Sequence, residues 1–191
     1  MRPSFIRICS AALVAAIVLF VWGAVAHNML NLSEDSMKTL PNESAVMTAL
    51  SATTPDDGLY FFPHWNEALS HDDQIADLAV KYREGPVGML VYRRTVAEVM
   101  PPSMLVKEFL AGLAATAIAA MILSRLSWGV IATARAAGLC AVAAWCSHSL
   151  SEWIWWGFPW SWVASALLEQ TVGWILAGGS IAFVLRGRSG A

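Results

Sequence analysis

Four apolar stretches constrain this chain more than any other feature. Ile8 to Ala26 carries no charge, nor does Phe109 to Leu123. Gly129 to Leu150 holds only Arg135 and His148, and Trp162 to Leu185 only Glu169. Each run approaches or exceeds the roughly 20 residues that cross a bilayer as a helix. Hydrophobic residues make up 57% of the 191 residues and charged ones 14%, well below the usual quarter of a soluble domain. The expected fold is therefore membrane α-helical: a four-helix transmembrane bundle with spans at residues 1–26, 104–124, 129–150 and 162–185. A small α+β domain, residues 27–103, separates the first two spans. A tryptophan-rich loop, 151–161, joins the last two, and 186–191 form a tail.

Basic residues set the orientation. Arg2 and Arg7 precede the first span, Arg125 and Arg135 flank the turn between the second and third, and Arg186 and Arg188 follow the fourth. All fall on one side, which the positive-inside rule makes cytoplasmic. Both termini are then cytoplasmic, and residues 27–103 are periplasmic if the membrane is a bacterial inner membrane, as the sequence suggests. Arg2, Arg7 and "AVA" at Ala24 to Ala26 also match a secretory signal with a small-residue cleavage site. The apolar run is long for a signal peptide, so a retained anchor is expected. Cys9, Cys140 and Cys146 all lie in spans, in no metal-ligand spacing, and read as small apolar core residues. The net charge of −2 and the lack of a basic cluster argue against nucleic acid as a partner.

The external segment is acidic, with eleven Asp or Glu against five Lys or Arg between His27 and Met100. "PNESAVMTALSAT" has helical spacing, "LYFFP" reads as a strand stopped by Pro63, and "GMLVYRR" as a second strand. "SHDDQIADLAVKYREG" is the clearest helix: Ser70 caps it, Asp73 completes the capping box, and Gly85 ends it. Two helices and two strands make a cap too small for a large core, so it is expected to pack on the bundle or on a partner. His64 and His71, near Glu67, Asp72 and Asp73, are weak metal candidates without a strong ligand spacing.

Five of the ten tryptophans, Trp153, Trp155, Trp156, Trp160 and Trp162, crowd the last loop, where Gly157 and Pro159 make the turn. Indoles favour the headgroup level, and Trp22 is expected at the same level on the first span. The cluster reads as an aromatic belt, with a flat platform for a quinone, pigment or lipid as the sharper reading. No cofactor is otherwise expected.

Glu169 lies seven residues after Trp162, roughly 10 Å along the helix. An ionisable side chain at such depth turns toward the bundle interior. Ser165, Ala166, Gly173 and Ala177 on its face permit close helix approach. His148, five residues before Trp153, shares a face with Ala137, Ala141 and Ala144. The second span offers two small-residue rows, Ala111-Ala115-Ala119 and Gly112-Thr116-Ala120. His148 and Glu169 are thus expected to meet directly, or through Gln170, Ser147 or water, with Glu152 as a second partner for His148. Such a pair is either a polar clasp or a site for protons, a quinone or a metal.

The segments "VWGAVAHNML", "LPNESAVMTAL", "GLYFFP", "GPVGMLVY" and "WWGFPWSW…VGWILAG" resemble a family of small four-span bacterial inner-membrane proteins with an extracytoplasmic domain after the first span. The resemblance implies that plan and no activity, cofactor or catalytic residue. No nucleophile motif, phosphate loop, haem-attachment motif or zinc signature is present. The leading expectation is a non-catalytic accessory or assembly subunit with a membrane-protein partner. The rival is a small carrier working at His148 and Glu169.

Overall fold

The computed structural model describes residues 3–186. The apolar runs form the helices α1 (Phe5–Asn28), α4 (Pro102–Leu123), α5 (Val130–Trp156) and α6 (Trp160–Arg186). All four are long and apolar enough to cross a membrane. Between α1 and α4 lie α2 (Glu43–Thr53), β1 (Gly58–Phe62), α3 (His71–Glu84) and β2 (Gly88–Tyr92). Lys38–Val99 forms one compact unit, and the membrane helices form the other.

In the membrane unit, α5 packs on α6, α6 on α1, and α1 on α4, while α4 meets α6 at only a few positions. The main contacts thus run in the order α4–α1–α6–α5, with α1, α4 and α6 also sharing one cluster. Small residues bring the helices together. Ala11, Ala12 and Ala15 of α1 meet Ala120, Ala177 and Ile181 in one buried cluster. Of the two rows on α4, the one through Thr116 and Ala120 carries the seam, with Gly112 lying outside the close contact: Thr116 and Ala120 are fully buried, and the Thr116 hydroxyl donates to the Ala12 carbonyl at 2.9 Å. Gly178 lies against Ala137 and the Thr133 backbone, so close that a Cβ there would stand 2.5 Å from the Ala137 Cβ.

Less than a third of the most apolar stretch of each helix is buried against protein. The remaining apolar surface must meet lipid or another protein, since water would leave it uncompensated. Cys9, Cys140 and Cys146 are exposed on the helices, contrary to the expectation that they belong to the core. The interior positions went to alanine and glycine, which allow closer backbone approach than a thiol does.

The α5–α6 connection is shorter than expected. Helix continues through the tryptophans to Trp156, and only residues 157–159 turn. Gly157 adopts φ 70°, and the Gly157 and Phe158 amides donate to the Glu152 carbonyl, which ends the helix in a left-handed cap.

In the second unit, β1 and β2 pair antiparallel with Gly58 opposite Tyr92 and Phe62 opposite Gly88. Ser70 caps α3: its Oγ accepts from the Asp73 amide at 3.4 Å and donates to the Asp73 carboxylate at 2.6 Å. Gly85, at φ 62°, closes the same helix. Asn42 caps α2 in the same manner.

Candidate functional site

Glu169 sits on the face of α6 that packs on α1. Gly173, one turn further, admits the Trp22 ring, and a Cβ there would lie 3.0 Å from Trp22 Cδ1. The Trp22 indole N–H donates to the Glu169 carbonyl at 2.9 Å. The last turn of α1 then brings His27 Nε2 to 3.1 Å from Glu169 Oε1. Glu169 is largely shielded, with 27% of its side chain exposed, whereas the His27 ring is 55% exposed. The carboxylate therefore ties the first span to the last.

His148 lies elsewhere. Its side chain is 80% exposed, and its Nε2 stands 3.7 Å from Glu152 Oε1, one turn along the same helix. Neither Gln170, half-buried beside Glu169, nor Ser147, whose hydroxyl donates to the Ala144 carbonyl, links the two sites. The structure does not bring His148 to Glu169. The reason lies in the seam of α5, which runs through Thr133, Ala137, Ala141, Trp145 and Ser149. The expected face stepped from Ala141 to Ala144 because alanine is small. Instead Trp145 turns inward, 7% exposed, and its indole N–H donates to the Val163 carbonyl at 2.7 Å. A large side chain belongs in a helix seam when it can satisfy its own polar atom there.

The charge pattern groups His27 with the external segment and gives no sign that it faces Glu169. The available signal was its place one turn beyond Trp22, at the end of a span that could run antiparallel to the Glu169 helix.

The tryptophans crown the α5–α6 hairpin. Trp160 meets Trp145 edge-on at 6.3 Å and Trp153 at 5.6 Å, and Phe158 packs at a tilt on Trp162. Trp153, Trp155, Trp156 and Trp160 are exposed. Edge-to-face pairing of this kind is favourable between aromatics but does not build a flat stacking platform. Trp160 precedes Glu169 by nine residues, about 13 Å along α6. Trp22, bonded to Glu169, is therefore not level with this cluster as expected. The chain following α1 reaches toward the hairpin tip, where the Ser36 hydroxyl donates to Ser161 at 2.8 Å.

His64 and His71 are in the other unit. His64 Nδ1 lies 3.2 Å from the Trp65 carbonyl oxygen, and His71 lines a groove on α3. No group of three His, Cys, Asp or Glu placed to hold a metal occurs among the described residues.

Taken together, the fold defines an integral, multi-pass membrane protein with four spans and an α+β segment between the first and second. Beyond that class the comparisons are silent: no protein family, curated protein or solved structure matches the chain. The four spans and the α+β segment after the first, which the sequence resemblance implies, are present, but the family itself is not identified.

Proposed function

We propose that this protein is a non-catalytic accessory or assembly subunit of a larger inner-membrane complex. The observation that carries the reading is the lack of a core in Lys38–Val99. Among its described residues only Thr54 and Tyr92 are buried, and α2 and α3 bury none. A unit of this size with so little burial gains little from the hydrophobic effect and is best stabilised by a partner. Its apolar side chains are gathered for that purpose. Trp65, Ile75, Leu78, Ala79 and Tyr82 line a groove of about 760 Å³ along α3. Apolar grooves with a few polar residues at the margin suit a protein partner.

The membrane unit supports the same reading. Most of the apolar surface of the four helices is not buried against protein, which leaves room for further helices. Ser147 and His148 are exposed on α5 beside the exposed tryptophans, a polar strip that lipid tails would solvate poorly. The arginine distribution supports the reading in which both termini are cytoplasmic and Lys38–Val99 is outside. α1 is read as a retained span, because Ala11, Ala12, Ala15, Ala16 and Ala26 are buried in the membrane unit.

Site-specific photocrosslinking in cells tests the proposal. A crosslinker at Ile75 or Tyr82 is expected to capture one defined membrane-associated protein, and one at Thr48 of α2 is not. Labelling of lipid alone, or of nothing, from the groove positions would overturn it.

A further inference from the structure

The arginine-rich end of the membrane unit holds a cleft of about 740 Å³ where α4 ends, α5 begins and α6 ends. Arg125, Arg186, Ser124, Ser127 and Thr133 supply its polar lining, and Leu123 and Leu185 are among its apolar walls. Arg186 is fixed from inside. One guanidinium nitrogen, Nη2, donates to the Thr133 hydroxyl at 3.2 Å, and Thr133 is 1% exposed. The other, Nη1, is buried without a hydrogen-bond partner among the described residues. A buried N–H of a charged group left unpaired is costly, so its surroundings should supply an acceptor.

The described residues supply no carboxylate side chain there. The chain's Asp and Glu residues all lie between Glu34 and Glu108 or at Glu152 and Glu169, while Arg7, Arg125, Arg135 and Arg186 belong to this end. The start of α5 adds to the positive field. Gly129 precedes it without a side-chain cap, and Thr133, in the first turn of this 27-residue helix, lines the cleft.

We infer that this cleft is a phosphate site, occupied by the headgroup of an anionic phospholipid. A phosphodiester oxygen would accept from Arg186 Nη1, with Arg125 completing the charge match and the Ser127 hydroxyl lining the same cleft. Guanidinium and phosphate pair with good geometry. The lipid source is favoured over free phosphate by the leucine walls, which suit the glycerol and the first methylenes, and by the position at the ends of membrane spans. Basic pockets between spans bind anionic headgroups in this way.

The test uses the full-length protein in mild detergent, with phosphatidylglycerol or phosphatidylcholine added and bound lipids counted by native mass spectrometry. Wild type is expected to retain one phosphatidylglycerol about tenfold better than phosphatidylcholine, about the effect of one good charge contact. Arg186→Gln and Arg125→Gln should each abolish most of that preference. Arg125 is exposed, so its replacement leaves the packing intact and keeps the test valid should Arg186→Gln fold poorly. Arg135→Gln, an equal charge change at an exposed position of α5 outside the cleft, should preserve the preference. Equal loss in Arg135→Gln, or no preference in wild type, would overturn the site. Displacement of the lipid by millimolar inorganic phosphate would overturn the lipid assignment in favour of a free anion.

Discussion

Replacing Gly178 by alanine should loosen the α5–α6 hairpin. A Cβ at this position would stand 2.5 Å from the Ala137 Cβ and 3.2 Å from the Thr133 carbonyl oxygen. Carbon atoms pack best at about 3.5–4.0 Å, so α5 and α6 would have to separate by about 1 Å. Both neighbours are backbone or directly attached to it, and neither can swing aside. Overpacking of this kind costs about 1–3 kcal/mol, offset by about 0.5–1 kcal/mol because alanine is a better helix former than glycine. The net expectation is a loss of about 1–2 kcal/mol. Gly112→Ala provides the opposite control: a Cβ there meets nothing within 4 Å, so only the helix gain remains. Reversible unfolding in mixed micelles of dodecyl sulfate and a mild detergent, followed by circular dichroism, reads both variants. The midpoint should fall for Gly178→Ala and hold or rise for Gly112→Ala. A Gly178→Ala protein as stable as wild type would refute the packing reasoning.

Three further outcomes follow from the same geometry. Trp145→Phe removes the indole donor from the Val163 carbonyl and should cost about 1–2 kcal/mol in that unfolding assay, whereas Trp155→Phe, at a residue 77% exposed, should be near neutral. A double-mutant cycle on His27→Ala and Glu169→Gln should give a coupling of about 0.5 kcal/mol, kept small by the exposed imidazole, while the cycle pairing His148→Ala with Glu169→Gln should give none. Ser70→Ala should weaken α3 by about 1 kcal/mol, visible as faster hydrogen exchange of the first-turn amides in the full-length protein, with α2 unaffected.

The spans were legible because run length and lack of charge are local properties. So were the Ser70–Asp73 capping box, the Gly85 stop and the turn at Gly157, each of which depends on a few adjacent residues. What the sequence did not disclose was neighbourhood. Charge bias orders helices by direction across the membrane but says nothing about which helix stands beside which. The small residues around Glu169 point to a packing face, and its contacts come from the first span rather than the third. Seam selection on α5 failed for a related reason. Small residues mark a seam only until a large residue finds its own hydrogen-bond acceptor inside it, as Trp145 does. Composition alone suggests a loop for the tryptophan segment, although Trp153 to Trp156 remain helical and Gly157 supplies the conformation that ends the helix.

The central proposal is that this protein works as one subunit among others. Extraction in a mild detergent, followed by native mass spectrometry and an absorption spectrum of the same sample, tests it most directly. The account predicts a stoichiometric assembly in which the 20.6 kDa chain accompanies larger membrane proteins, with no chromophore belonging to the chain itself. A lone chain or its homo-oligomer, carrying a quinone, metal or pigment, would contradict it.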